Sequence, residues 1–559
     1  MPTKISDLMS FGALTVPPDK TLADIVGRMR RIGHEGYPVV DGQGRVLGLL
    51  TSRDMNRAAE NGLEHLPVRD VMMAGEVVVS PDTTLDELLK QMVQTGWGQI
   101  PVVRNEVLMG VVTRTDVIEH YAELDVKNAR AVTHQQVVEV LGEAVADLIG
   151  FVGRQAKAQK QGVYMVGGVV RDLFLRRPNL DVDFVLEGEA IAFGEALAAR
   201  FGGELETHES FGTAKWRLDE TAAGHIGHPL EALPGSIDLV TARFEFYQQP
   251  AVLPTVYNSG IRLDLRRRDF TVNALAVELS GEDAGGAVID LFGGLQDLDD
   301  KLIRVLHSLS FADDPTRTLR AVRYSHRLGF EVEPRTAELI QRALPMMKRI
   351  TGRRIANEIT LMLKEARPAQ ALLRLQKIGL LQAISPAFVL EEDLLLHIFK
   401  AYEQAVLPHP AQSETRFLWL LLATTMDATY VKQVTERLLF DRATADAMQA
   451  AATLTEYPEN YFEDKPSRIT FQLERMPLEA TLAVWVALPT YRKQIERYLN
   501  KWRHVKVVTD GNDLKRMGLP PGPRFKTILD SVRAARIDGH VRDDDEERAF
   551  VRTLLESDD

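Results

Sequence analysis

Asp181 and Asp183 lie two residues apart in an apolar stretch with Val182, Phe184 and Val185 around them. Side chains at i and i+2 of a strand share a face, so this spacing predicts two carboxylates held side by side. Close like charges are unfavourable unless a cation sits between them. Oxygen-only ligation suits Mg2+ or Mn2+, which also take phosphate oxygens and water. Just upstream, Val163 to Val166 reads as a buried strand, and Gly167-Gly168 follows with no Cβ to keep a ligand off the backbone. Val169 to Leu175 reads as the first turns of a helix, whose free N–H groups suit an anion. Arg171, one turn in, offers a fork of donors to the same phosphate. A phosphate-cradling turn beside a divalent-metal carboxylate pair predicts nucleotidyl or phosphoryl transfer.

Other stretches could complete such a site. Asp238, in the β-rich run from Ser236 to Arg243, is either a third carboxylate or a plain strand-end aspartate. The run Asp264-Leu-Arg-Arg-Arg-Asp-Phe-Thr-Val-Asn-Ala274 places three arginines in a row. Consecutive side chains cannot share one direction, so at least one of Arg266, Arg267 and Arg268 should turn to a bound anion such as a triphosphate. The alternative is a solvated basic run. Asp269 can accept hydrogen bonds from ribose hydroxyls, and Asn273 is grouped with these nucleotide-binding candidates. Further on, Pro315 suits the first turn of a helix capped by Asp313 or Asp314. Asp314 and Arg317 are three apart on that helix and offer one acceptor beside one donor set. Adenine and cytosine both present an amino donor beside a ring-nitrogen acceptor, and guanine and uracil present the reverse. The pair can therefore accept A and C and reject G and U. Arg320 and Arg323 continue along the helix, either to phosphates or to surface ion pairs.

The elements that must position these groups are legible in outline. The chain has 559 residues, enough for several domains, and ordinary globular proportions of apolar and charged residues. It has no cysteine, which excludes disulfides, thiolate zinc and a cysteine nucleophile. The N-terminus lacks a signal-peptide core and no apolar run approaches a membrane span, so a cytoplasmic protein without a membrane partner is expected. A net charge of -12 does not advertise nucleic-acid binding, although a local basic face suffices. From about residue 332 the pattern is helical to the end. There Arg492, Lys493, Arg497, Lys501, Trp502, Arg503 and Lys506 interleave bases with aromatics. Such a helix can track a phosphate backbone and stack a base, or it can be a solvated helix that buries its aromatics. Gly511 to Pro523 reads as a tight turn before another helix.

The first segment repeats at roughly 63 residues. Asp7-Leu8-Met9 returns as Asp70-Val71-Met72, and Tyr37-Pro38-Val39-Val40 as Ile100-Pro101-Val102-Val103. Gly48-Leu-Leu-Thr51-Ser-Arg-Asp54 returns as Gly110-Val-Val-Thr113-Arg-Thr-Asp116. Thr51 with Asp54, and Thr113 with Asp116, have capping-box spacing. This doubled pattern resembles a pair of CBS domains. The resemblance implies an adenine nucleotide held by the threonines and aspartates, and homodimers through the pair. Helix capping alone is the competing role. His134 to Val152 has helical periodicity and reads as one amphipathic helix leading into the catalytic strand.

The motif series from residue 135 to 559 resembles the class II tRNA nucleotidyltransferase and bacterial poly(A) polymerase family, of the polymerase-β-like superfamily. The resemblance implies that Asp181 and Asp183 hold metals, that Gly167, Gly168 and Arg171 bind nucleotide, and that Arg268 and Asp269 take triphosphate and ribose. It also implies that Asp314 and Arg317 read the base. The base-reading motif of the family begins Glu-Asp, and here it is Asp313-Asp314. The expected fold is α+β and multidomain. It comprises a CBS pair (1–121), a helical linker (122–160), a polymerase-β-like head (161–300), a neck (301–370) and an all-α, RNA-binding body and tail (371–559). The expected activity is addition of AMP from ATP to the 3′ end of tRNA, with CTP use, CC or full CCA addition left open. A poly(A) polymerase, or a nucleotide-sensing regulator with a silent catalytic half, are the alternatives. Relatives with a CBS pair sometimes carry a phosphoesterase-like domain in front; this sequence opens on the repeat, so that activity is not expected.

Overall fold

The structure is a computed structural model. It describes residues 4–556 apart from 12, 26–35, 61, 76, 96, 118–119, 121–129, 247–254 and 309. The start of the expected linker, and part of the first repeat's leading helix, lie outside the described residues. The chain divides into two compact units: Met1–Gln248 with Leu253–Asp300, and essentially Lys301–Asp559.

In the first unit the two repeats exchange their leading segments. One sheet joins β2 (Gly36–Val40), β3 (Val46–Thr51) and β4 (Met73–Ala74), and another joins β1 (Ser10–Phe11), β6 (Val107–Thr113) and β5 (Gln99–Arg104). Thus β1 pairs antiparallel with β6 of the second repeat, while β4 pairs with β3 of the first. The apolar cores follow the exchange. Ile5, Leu8 and Met9 pack with Leu88, Ile100 and Val112, and Val68 packs with Val16, Leu22, Val39 and Leu50. Neither repeat closes its core alone, so the pair is one folding unit.

The linker pattern becomes two helices instead of one. α1 (His134–Leu141) starts on a capping box between Thr133 and Gln136. Gly142, at φ 89°, ends it in a conformation that a side chain would oppose, and α2 (Glu143–Ala158) begins there. α2 buries Val145, Leu148, Ile149 and Val152.

The head is an eight-stranded sheet. With β7 (Ala131–Val132), β8 (Gly162–Val166), β9 (Asp183–Glu187), β10 (Glu204–His208), β11 (Thr213–Arg217), β12 (Ser236–Thr241), β15 (Leu275–Leu279) and β16 (Gly286–Asp290), the order is β10-β11-β12-β9-β8-β15-β16-β7. β13 (Arg243–Phe246) and β14 (Thr255–Asn258) form a separate ribbon. β12 and β9 are parallel, with Asp238 opposite Asp183, and β11 and β12 are antiparallel, with Lys215 opposite Asp238. Three charged side chains therefore sit at neighbouring positions across adjacent strands.

Among its described residues the second unit is helical apart from one short strand pair, Leu302–Ile303 with Glu331–Val332. No helix among the described residues is long and apolar enough to cross a membrane.

Candidate active site

β8 delivers the chain to Gly167, at φ 73°, and α3 (Gly168–Phe174) starts at the next residue. Glycine is favoured at 167 on two counts. The positive φ disfavours a side chain, and a Cβ there would lie 2.7 Å from Nη1 of Arg268. Arg268 is thus the guanidinium laid against the Gly-Gly turn. Asp264, fully buried, aims it: Oδ2 accepts from Arg268 Nη2 at 3.0 Å, and Oδ1 accepts from Arg267 Nη2 at 2.6 Å and Nε at 3.0 Å. Burial pushes the Asp264 carboxyl up, but the two guanidiniums outweigh it and hold it below the usual carboxylate range. Asp264 belongs to the run singled out by its arginines, yet the sequence does not show which acid would hold them.

Asp181, Asp183 and Asp238 each bring a carboxylate oxygen to within 4.8 Å of the others. The strand is shorter than its pattern predicts. β9 begins at Asp183, and Asp181 is exposed in the preceding loop, because Asn179 Oδ1 accepts the Asp181 N–H at 2.9 Å and makes a turn. The pair still converges, through loop geometry instead of a shared strand face. Burial and the charges of Asp181 and Asp238 push the Asp183 carboxyl up to about 6, against the pull of Arg268 and Lys215. Three crowded carboxylates with hard oxygen donors fit a divalent cation. Lys215 Nζ, 2.8 Å from Asp238 Oδ2, supplies positive charge beside the cluster. It went unassigned from sequence because only strand register brings it there.

Arg171 does not offer its fork to a phosphate. It is 2% exposed, with Nε and Nη2 on Asp172 at 2.8 and 2.9 Å and Nη1 on Asn273 Oδ1 at 2.7 Å. An acid next in sequence and a buried amide capture it. Asn273 in turn donates to Asp269 Oδ1 at 3.1 Å, and both are buried.

In the second unit, α4 (Ser310–Asp313) is followed by α5 (Thr316–Leu328), with Pro315 at the N-cap. Asp314 Oδ1 accepts the Thr316 N–H at 3.0 Å, a side-chain turn that leads into the helix. Its Oδ2 receives Arg354, on α6 (Gly352–Leu363), at 2.7 Å. Arg317, 6% exposed, donates to Ser310 Oγ at 2.7 Å. Each member of the pair expected to read the base is therefore held by a third residue. Arg320 and Arg323 follow the ion-pair alternative. Glu358 lies 3.5 Å from Arg320 and 3.2 Å from Arg323, and Glu365 lies 3.8 Å from Arg323, which is buried.

Asp313 is pushed up to about 6 by burial first, with Arg317 opposing and Asp314 adding to the rise. Its folded value lies above the ordinary aspartate value, so the folded chain loses stability as pH rises through this window and the group ionises. Asp313→Asn removes that loss. The melting temperature of the variant relative to the native chain should rise between pH 5 and pH 7.5; a difference that stays flat or falls contradicts the assignment.

Among the RNA-binding candidates and their neighbours, Trp502 and Tyr498 are buried. Trp502 is 7% and Tyr498 5% exposed, so neither can stack a base. Arg492 on α7 (Arg492–Asn500) donates to Trp485 O at 2.9 Å and lies over its ring. Lys493, Arg497, Lys501 and Lys506 are exposed, and Arg503 is half-buried. The turn expected from Gly511 is itself a helix, α8 (Gly511–Arg516), capped by Asp510, and the turn comes after it, ahead of α9 (Pro523–Asp538). Both repeat pairs make reciprocal caps: Thr51 N–H to Asp54 and back at 3.2 Å each, and Thr113 N–H to Asp116 at 2.7 Å and back at 3.2 Å.

Comparison with known proteins follows the same division. A model described as "Poly A polymerase head domain" matches residues 163–304. CBS domain models match 5–61 and 68–123, and "Probable RNA and SrmB- binding site of polymerase A" matches 329–390. An A-adding tRNA nucleotidyltransferase of Geobacter sulfurreducens is 32% identical over 99% of this chain and 64% of its own length. One of Aquifex aeolicus is 30% identical over 92% of this chain and 61% of its own length. The chain therefore spans a little under two thirds of these relatives. Among solved structures, a CCA-adding enzyme in apo form superposes with TM-score 0.62 at 28% identity, covering 76% of this chain and 99% of that one. A Thermotoga maritima CCA-adding enzyme complexed with tRNA superposes with TM-score 0.57 at 26% identity, covering 76% and 99%. A CCA-adding enzyme complexed with ATP does so with TM-score 0.59 at 27% identity, covering 76% and 97%.

Proposed function

We propose, for a chain that belongs to the tRNA nucleotidyltransferase and bacterial poly(A) polymerase family and carries a CBS pair, that it transfers AMP from ATP to the 3′ end of tRNA. The observation that carries the reading is the convergence of Asp181, Asp183 and Asp238 within 4.8 Å on the head that also lays Arg268 against Gly167. In the proposed reaction the terminal 3′-hydroxyl attacks the α-phosphate and pyrophosphate leaves. The three carboxylates would hold Mg2+ or Mn2+, which supplies Lewis-acid stabilisation of the phosphoryl oxygens. Arg268, aimed by Asp264, receives the triphosphate at the Gly-Gly turn, and Asp269 accepts from the ribose. Asp314 and Arg317 select the base. Since that pair accepts both A and C, CMP addition is the second reading, and the relatives named for tRNA favour either over poly(A) tailing. The exposed lysines and arginine of 493–506 supply contacts to the RNA backbone, and a cytoplasmic location completes the proposal.

The reaction class is tested with α-labelled ATP, tRNA and Mg2+. Label should enter the tRNA with one pyrophosphate released per AMP. Pyrophosphate release without label in the RNA would leave a hydrolase, and no release at all a silent head.

The CBS pair is proposed to bind an adenine nucleotide at Thr51/Asp54 or Thr113/Asp116 and to favour homodimers. Each threonine hydroxyl also donates to its aspartate, Thr51 Oγ1 to Asp54 Oδ2 and Thr113 Oγ1 to Asp116 Oδ2 at 2.8 Å, so a bound nucleotide would take the place of that bond. Calorimetry of the full chain with AMP should show heat that Asp54→Ala or Asp116→Ala removes and Arg317→Ala retains. Heat indifferent to both aspartates makes the pair a structural module.

A further inference from the structure

The loop between α3 and β9 is exposed at Arg176, Arg177, Pro178, Leu180 and Asp181, while Asn179 is half-buried. The Asn179 amide turns inward. Its Nδ2 donates to Asp172 Oδ2 at 2.8 Å, and its Oδ1 accepts the Asp181 N–H at 2.9 Å. Asp172 is 5% exposed and is locked by Arg171, whose Nε reaches Oδ1 at 2.8 Å and whose Nη2 reaches Oδ2 at 2.9 Å. Both residues belong to α3, the helix that starts at the Gly-Gly turn. A Cβ at Gly168 would lie 3.7 Å from Asn179 Nδ2, so the amide stands beside that turn. One side chain thus clips the loop that carries Asp181 to the helix that begins where Arg268 lies.

We infer that Asn179 is a positioning residue for the metal site: clipped to Asp172, it holds the Asp181 carboxylate where the other two acids can share a cation with it. The inference rests on the nucleotide-transfer reading above. Asp183 and Asp238 are placed by the paired strands β9 and β12, whereas Asp181 lies outside the sheet. After Asp181 the chain is fixed at Val182, which is buried and whose C=O accepts the Asp238 N–H at 3.4 Å. Before it, the Arg177 N–H bonds Asp172 O at 2.9 Å and fixes the start of the loop, which leaves Asn179 to fix the residues next to Asp181. The clip has one polarity. A carboxylate accepts and a backbone N–H donates, so the residue between them must donate at one end and accept at the other. Asparagine does both. Serine can close the local turn on the Asp181 N–H but is too short to reach Asp172 as well. A group that orients a metal ligand from behind typically changes affinity by roughly 10- to 100-fold.

The test titrates the full chain with Mn2+, without nucleotide, and reads the free ion by electron paramagnetic resonance. The native chain is compared with Asn179→Ala, Asn179→Ser and Asp181→Ala, and metal-free melting curves check that each remains folded. Both Asn179 variants should bind Mn2+ at least roughly tenfold more weakly. In AMP transfer their Mg2+ midpoint should rise by a similar factor. Excess Mg2+ should restore turnover in them but not in Asp181→Ala, because their ligand is misplaced and not missing. Native affinity in Asn179→Ala beside weakened binding in Asp181→Ala leaves the metal reading standing and overturns the inference. Native affinity in Asn179→Ser with loss in Asn179→Ala confines the role to the local turn and overturns the clip to Asp172. If Asp181→Ala binds Mn2+ as the native chain does, or the native chain binds none, the metal reading fails and takes the inference with it.

Discussion

Asp183→Ala, and Asp181→Ala beside it, are expected to lower AMP incorporation by at least about a thousandfold while the chain stays folded. Removing one preorganised electrostatic partner of a transition state costs about 100- to 1000-fold elsewhere, and here the lost carboxylate is also a metal ligand. Folding should survive for a reason visible at the site. Asp183 is held up at about 6 by burial and by Asp181 and Asp238, so its charge destabilises the metal-free fold at neutral pH. Its removal relieves that repulsion, and Asp181 is exposed in a loop. Metal-free melting temperatures should therefore be equal to or above the native value. Turnover at saturating Mg2+ gives the answer, and near-native rates in either variant would sink the metal assignment.

Arg317→Ala is expected to lose the preference for ATP and CTP over GTP and UTP, by at least roughly tenfold, with a smaller loss in overall turnover. Arg317 is buried on Ser310 Oγ, and Asp314 is held by Arg354 and Thr316, so both groups proposed to read the base are fixed before it arrives. Discrimination by fixed, buried polar groups is strong because the wrong base leaves them unpaired. Arg268→Ala should instead weaken all four nucleotides alike, since its guanidinium lies at the Gly-Gly turn. Steady-state constants for the four nucleotides decide the matter. Selectivity retained in Arg317→Ala and lost in Arg268→Ala would reverse the two roles.

Local patterns in the sequence were read well where a short run decides the structure. The apolar run ending in Gly167-Gly168 is of this kind, because hydrophobic period and glycine freedom act over a few residues, whereas Asp181 and Asp183 meet through a loop turn instead of the strand face their spacing predicts. The helix-surface alternative for Arg320 and Arg323 needed Glu358 and Glu365, which lie far downstream in the chain. Arg171 shows a different limit. A donor fork near a phosphate turn has the same sequence whether it meets substrate or a neighbouring acid, and packing chose Asp172 and Asn273. Lys215 and Asp264 were hidden because strand register and burial, which are long-range properties, put them at the site. The exchange of leading segments between the repeats is equally long-range: Asp7-Leu8-Met9 and Asp70-Val71-Met72 look like starts of their own repeats, and each finishes the other's sheet. The aromatics of the tail went inward for the commonest of reasons, the area they bury.

The central claim is a transfer to the 3′ end of tRNA, and three transcripts test it most directly. The purified chain is given tRNA ending before CCA, tRNA ending after CC, and complete tRNA, each with labelled ATP or labelled CTP, and product lengths are read on a gel. The account predicts a single A added to the CC-ending transcript, with no extension of the complete one. Long A tails on any of the three, or no extension of the CC-ending transcript by ATP, would contradict it.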